Sequence, residues 1–424
     1  MRRPPNSSTT RRGFLKGAVA VAAPYIIPAS AFGANERVAV GCIGVGPRGT
    51  SVMKGFLDDG RTRVVAVCDV NKLRREDVAK RLNQHYGDKG CKPYNDFREL
   101  LNRPDIDVVS IASTDHWHVL HALYAARAGK DMYVEKPLGL NVVEGRALRD
   151  AVQRYDRVFQ FGTQQRSSWN FRFACELVRN GRIGRLHTMR VGAPPSHAAG
   201  NYPAMPVPDW LDYDMWLGPA PWAPYTENRI VNNFWWHISD YAVGFVAGWG
   251  IHHVDIAQWG NGTDRSGPIE VEGAGSYPRD GMCDCATSWN VELTYANGVK
   301  MDYKDNNHNA QGVRFEGSDG WVYVKRGYIE AEPKSLLKTV IGPGEVHLYK
   351  SKNHVGNFVD CVINRKKTVC PIEVAVRSDT ICYLSDIAMR LRKKLRWDPA
   401  CERFVDDPEA DRMLSRAMRG PWRL

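Results

Sequence analysis

The sequence predicts an α/β protein in two parts: a doubly wound parallel sheet, then a second α+β domain built on a large, mainly antiparallel sheet. Three observations carry that expectation. Between residues 38 and 162, continuous apolar runs alternate with helix-length segments, the pattern of strands buried on both faces. A glycine-rich turn closes the first of those runs. Beyond Gly162 the apolar residues switch to a period of two, as in sheets with one solvated face. A chain of 424 residues holds two such domains comfortably.

Taken in order, VAVGCIG (38–44) reads as a buried strand, followed by Gly44-Val45-Gly46-Pro47-Arg48-Gly49 and a helix through Leu57. RVVAVCD (63–69) is a second strand ending at Asp69, followed by the charged helix NKLRREDVAKRLNQHYG. DVVSIAS (107–113), DMYVEK (131–136) and RVFQFG (157–162) are further parallel-type strands. A stretch rich in proline and tryptophan follows, and then the strand-like segments SWNVELTY, KMDYKD and WVYVKRG. Ala296-Asn297-Gly298 between the first two is a hairpin signal. IEVAVRSDTICYLSDIAMRLRKKL, near the C-terminus, reads as one amphipathic helix. The organisation expected is a signal over residues 1–34, a dinucleotide-binding domain over 35–162, and a substrate and oligomerisation domain over 163–424.

The first thirty-odd residues combine Arg11-Arg12, Phe14-Leu15-Lys16, a short apolar stretch and the small residues Ala29 and Ala31. That is the pattern of a twin-arginine signal, which exports folded proteins to the periplasm or beyond. The apolar stretch is too short and too interrupted by proline for a stable membrane span. The net charge of +11 does not spell out a nucleic-acid footprint, because much of it sits at the two ends. Arg2, Arg3, Arg11, Arg12 and Lys16 precede any folded domain, and Arg390, Arg392, Lys393, Lys394 and Arg396 read as a solvated helix face. The ten cysteines show no zinc-ligand spacing. Cys42 and Cys68 fall inside strands as small apolar residues, so free thiols and no metal are expected.

The glycine turn follows a strand and opens a helix, and an acid closes the next strand 25 residues beyond Gly44. That context makes it a dinucleotide fingerprint. Gly44 makes the tight turn, Gly46 lets the backbone approach the pyrophosphate, and Gly49 lets helix and strand pack. Pro47 and Arg48 lie in the same loop, where the helix N-terminus holds phosphate charge. Asp69 accepts the ribose hydroxyls and repels a 2′-phosphate, so NAD is favoured over its phosphorylated form.

With the fingerprint, the tripeptide Glu135-Lys136-Pro137 resembles the glucose–fructose oxidoreductase/inositol dehydrogenase/MocA (Gfo/Idh/MocA) family. The likeness extends to ASTDHWH (112–118), FGTQQR (161–166), WLGPAPWAPY (216–225), GWGIHHVDIAQWG (248–260) and WDPACERF (397–404), and so to nearly all of the chain after the signal. The resemblance implies that Lys136 faces the nicotinamide and the reacting carbon, its pKa lowered by burial. Ser113, Asp115, His116, Glu135 and Gln164 would hold the nicotinamide riboside. Gln165 and Arg166 would stand where the sheet opens, near substrate. The family carries Asp-x-x-x-His on a helix. Here the histidine is His252, while the acid's place is taken by Gly248. Asp255, three residues on, is the leading replacement partner for His252, with Asp240 and Tyr241 as others. His253 points elsewhere on the helix, toward packing or the sheet.

Trp235, Trp236, Trp249 and Trp259 either build an apolar interface or stack on a sugar ring, and His237, His354 and Asn357 would then bind its hydroxyls. The function implied is hydride transfer between bound NAD and a ring hydroxyl of a sugar or glycoside, with Lys136, His252 and Asp255 as the catalytic set. Outside the cytosol a released cofactor is lost. Retained NAD would be re-oxidised by a second substrate, or used transiently in a redox-neutral glycoside cleavage. A non-catalytic sugar-binding protein is the third class, made credible by Gly248. The resemblance also implies a homodimer or homotetramer.

Overall fold

The computed structural model describes residues 37–424 except residue 232, so the expected twin-arginine segment lies outside the described residues. Six strands form the first sheet: β1 (Val38–Ile43), β2 (Thr62–Cys68), β3 (Lys92–Tyr94), β4 (Val108–Ile111), β5 (Asp131–Val134) and β6 (Phe159–Phe161). Their spatial order is β3-β2-β1-β4-β5-β6, and every pairing is parallel. Strand β3 has no counterpart among the sequence expectations. Its Lys92 and Pro93 are exposed, so an edge strand this short leaves no apolar run to read. The strand order reverses between β1 and β4, and a crevice opens there beyond the strand ends, where parallel sheets of this kind bind ligands.

The second sheet comprises β7 (Leu186–Ala193), β8 (Pro268–Ser276), β9 (Ser288–Tyr295), β10 (Lys300–Asp305), β11 (Gly312–Gly317), β12 (Gly320–Lys325), β13 (Tyr328–Glu332), β14 (Leu395–Asp398) and β15 (Arg403–Phe404). Their order is β13-β12-β11-β7-β10-β9-β8-β14-β15, and only the β7–β10 pairing is parallel. Alternation shows in β9, where Trp289, Val291, Leu293 and Tyr295 face the core. The β9–β10 hairpin turns at Gly298 with φ 81°, and the Asn297 side chain accepts the Val299 amide.

Helix Ile372–Leu391 departs from its expected amphipathic form: 16 of its 20 residues are buried. It lies between strand β8 and helix Val142–Arg154 of the first domain, and so has apolar neighbours on opposite sides. The basic cluster at its end is solvated, with Arg392, Lys394 and Arg396 exposed, but only Arg390 lies on the helix. The helix stops at Leu391, and the groups pair with acids: Arg390 with Asp386, Lys393 with Asp407 and Glu409, Lys394 with Glu270, and Arg396 with Asp406. Helix His354–Asn364 returns to the first domain, where Val355, Phe358, Val359 and Val362 share a core with Phe56 and Tyr133. All ten cysteines are free thiols, nine of them buried. No helix among the described residues is long and apolar enough to cross a membrane.

Candidate active site

One cavity of about 390 Å³ runs from the glycine turn after β1 across to the second domain. At its first end Gly44 leaves β1 with φ 79°, and a Cβ there would sit 2.6 Å from the backbone of Ala112 and Ser113. A Cβ on Gly49 would meet the Gly44 carbonyl oxygen at 1.9 Å. On Gly46 it would meet only the Arg74 guanidinium, 3.3 Å away, so that face of the turn is open. Helix Pro47–Leu57 begins there with no side-chain cap, leaving first-turn N–H groups for an anion. Asp69 braces the turn: its Oδ2 accepts the Val45 amide at 3.0 Å, its Oδ1 the Asn71 amide at 2.9 Å, and Arg74 stands 3.6 Å off.

The other end of the cavity gathers Arg48, Asp115, Glu135, Lys136, Gln164, His252 and Arg326. Strand β5 delivers Glu135 and Lys136 at its end. Glu135 is buried and accepts hydrogen bonds from Arg48 at 2.6 Å and from Gln164 at 2.9 Å. The Lys136 ammonium donates to the Gly248 carbonyl. Burial pulls its pKa below the usual lysine range, against the opposing pull of Glu135 and Asp115. Burial pushes the Asp115 carboxyl up to about 8, and its Oδ2 has no partner among the described residues. His252 is buried beside the Trp249 ring, and neither ring nitrogen has a hydrogen-bond partner among the described residues. Burial, reinforced by Lys136 and Arg326, holds its pKa well below the ordinary value and keeps it neutral.

Residues 38–163 match the family model described as "Oxidoreductase family, NAD-binding Rossmann fold", and residues 197–424 match "Oxidoreductase family, C-terminal alpha/beta domain". The chain belongs to the Gfo/Idh/MocA oxidoreductase family. NAD is the cofactor of its Rossmann domain, and the residues fit it. The open face at Gly46 and the uncapped helix suit a pyrophosphate, Asp69 suits ribose hydroxyls, and the unpartnered Asp115 oxygen awaits a polar ligand group.

Among curated relatives, myo-inositol 2-dehydrogenase from Thermotoga maritima is 30% identical over 152 residues, covering 36% of this chain and 44% of that protein. Alpha-N-acetylgalactosaminidase from Shewanella oneidensis is 32% identical over 205 residues, 42% of this chain and 44% of that one. The matched stretches thus span less than half of either relative. Among solved structures, levoglucosan dehydrogenase in complex with NADH and levoglucosan has a TM-score of 0.63 at 17% identity, covering 85% of this chain and 99% of the other. Aldose-aldose oxidoreductase from Caulobacter crescentus gives 0.63 at 17% identity, over 85% and 100%. These likenesses show a shared fold.

For this Gfo/Idh/MocA chain the structure corrects several sequence expectations. Asp255 does not orient His252. Its carboxylate takes a two-pronged ion pair from Arg166, at 2.7 and 2.8 Å, and a hydrogen bond from Ser378 at 2.8 Å. Arg166 is thereby buried, with Asp264 at 3.2 Å and the Trp259 ring under it, and does not line the cavity. Gln165, next to it, is buried outside the cavity lining as well. His354 bonds to Ser167 and to the Phe161 carbonyl, both at 2.7 Å, and Asn357 bonds to Tyr349 and the Val369 amide. Both tie helix His354–Asn364 to its surroundings and are not free for a sugar.

His237 packs on Phe245 and His197, and His116 bonds to the Trp216 carbonyl at 3.0 Å, both behind the lining. Neither Asp240 nor Tyr241 bonds to His252. His253 bonds to the Gly192 carbonyl of β7 at 2.7 Å, a sheet contact. The cavity does bring together Gly44, Gly46, Pro47, Arg48, Asp69, Ser113, Asp115, Glu135, Lys136, Gln164, Trp235 and His252, while Gly49 packs behind the turn. Sequence reasoning missed Arg326, whose place in a β12–β13 turn carries no motif.

Proposed function

We propose that this protein transfers a hydride between NAD and a ring hydroxyl of a sugar or glycoside, with Lys136 carrying the hydroxyl proton. The observation that supports this most is the meeting, in one cavity, of Lys136 and His252 with the dinucleotide-binding turn. Bound NAD supplies the hydride acceptor or donor. Lys136, lowered in pKa by burial, releases its proton more readily than an exposed lysine, and the Gly248 carbonyl fixes its ammonium where the family has a carboxylate partner. The backbone carbonyl holds the ammonium without adding a negative charge, which favours the neutral amine relative to a carboxylate neighbour. His252, kept neutral, orients the hydroxyl without competing for its proton. Trp235, Trp236 and Trp249 offer ring faces to the apolar side of a sugar.

The test is to denature the purified protein, identify any released dinucleotide and its redox state, and then screen glycosides for reduced-nicotinamide absorbance. Bound NAD and reduction by a sugar are expected; bound NAD with no sugar response would leave only a binding protein. A second reading, redox-neutral glycoside cleavage, draws on the relatives named as alpha-N-acetylgalactosaminidase and as a glycosyl hydrolase family 109 protein. It predicts many turnovers with no net absorbance change and no added acceptor. We further propose export by the twin-arginine route, from Arg11-Arg12. Replacing both with lysine is expected to leave folded precursor in the cytosol.

A further inference from the structure

Four cationic side chains line the cavity, and three have a partner within the chain. Arg48 is answered by Glu135 and Arg74 by Asp69, while Lys136 donates to the Gly248 carbonyl. Arg326 is the exception. It makes no ion pair and no hydrogen bond among the described residues, Glu135 acting on it only at a distance, and its guanidinium lies over the Trp249 ring, 5.1 Å from the centroid. An arginine in open water needs no partner. This one is exposed at the rim but lines the same cavity as Lys136 and His252. Burial and the neighbouring Arg48 both lower its pKa, and Glu135, already paired with Arg48, offsets them only in part.

Its position is also fixed by backbone. Lys325 pairs with Tyr328 across the β12–β13 hairpin, leaving Arg326-Gly327 as a two-residue loop, with Gly327 at φ 70°. The Trp249 face then holds the planar fork, so its N–H edge is available with little further ordering. The cofactor's phosphates have their own anion site in the uncapped helix start after Gly46.

Resting on the sugar-oxidoreductase reading above, we propose that the substrate is an anionic sugar whose single negative charge, a uronate carboxylate or a sulfate ester, is bound by Arg326. One unanswered cation matches one charge, and a guanidinium fork matches the paired oxygens of either group.

The experiment uses the NAD-loaded full chain and measures binding of methyl glucuronide, glucose 6-sulfate and neutral methyl glucoside by calorimetry. At low salt at least one anionic probe is expected to bind about tenfold to a hundredfold more tightly than the neutral one, the worth of one charge-assisted hydrogen bond. The tighter of the two identifies the anion. Arg326→Gln is expected to erase the preference, bringing the anionic probes down to the level of methyl glucoside, while Arg326→Lys retains part of it. Equal binding of neutral and anionic probes overturns the proposal. So does a loss of NAD affinity in Arg326→Gln, which would assign the arginine to the cofactor's phosphates. Oxidation of neutral glycosides without preference would sink this inference and leave the function standing. A strongly preferred uronate with no sugar oxidised under any condition would do the reverse.

Discussion

At the scale of single residues, Lys136 and His252 share a cavity but not a role. If Lys136 moves the proton, Lys136→Met lowers kcat by ~10²–10⁴ while dinucleotide affinity, read by titration, changes little. In the direction of sugar oxidation the rate rises with pH through the lowered lysine pKa, because the neutral amine is the accepting form. His252→Ala removes an orienting contact, so KM rises and that pH limb stays where it was. A vanished limb in His252→Ala would instead make the histidine the proton carrier. Asp255 belongs to stability. Asp255→Asn breaks a buried ion pair with Arg166, an effect of about 3–5 kcal/mol on unfolding in urea. The folded fraction keeps its kcat, whereas an orienting acid would depress kcat and shift its pH profile.

At the scale of the element, the turn between β1 and helix Pro47–Leu57 separates two kinds of glycine. Gly49 packs against the Gly44 carbonyl, so Gly49→Val forces the helix off the strand and lowers both melting temperature and NAD binding. Gly46 faces only a movable arginine side chain. Gly46→Val is therefore expected to melt close to the parent when NAD is absent, yet to lose NAD binding because its side chain occupies the pyrophosphate's approach. Calorimetry with and without NAD checks both. Equal loss of stability in the two variants would mean that Gly46 serves the fold rather than the cofactor.

At the scale of the whole molecule, histidines set the acid limit. Burial lowers the pKa of His116, His118, His121, His237, His252, His253 and His354, four of them to about 4. Their folded pKa values lie below the unfolded one. The stability they contribute is complete above the unfolded value near 6.5 and is lost as pH falls toward 4, because the unfolded chain takes up the protons. Each histidine costs at most about 1.4 kcal/mol per pH unit in that window. Asp115, Asp131, Glu144, Asp240 and Asp379, raised by burial, pull the other way, five carboxyls against seven histidines. Without NAD, the urea midpoint is expected to fall between pH 7 and pH 5. A flat profile would mean that these rings already carry protons in the folded protein.

What the sequence by itself determined is local. Buried parallel strands, the glycine turn, Asp69 at the end of β2, the β9–β10 hairpin and the Glu135-Lys136-Pro137 tripeptide are each written in a few consecutive residues, since backbone geometry and period act over that range. The tertiary structure decided the pairings. Asp255 stands three residues from His252 on one helix, a spacing that allows contact. The carboxylate goes to Arg166, 89 residues away, because a bidentate guanidinium buried beside Ser378 outcompetes a neutral imidazole. Helix Ile372–Leu391 is buried on opposite sides because two domains pack on it. Arg326 reaches the cavity because β12 and β13 pair in one register. Such choices compare long-range partners for the same group, and no stretch of sequence contains both competitors.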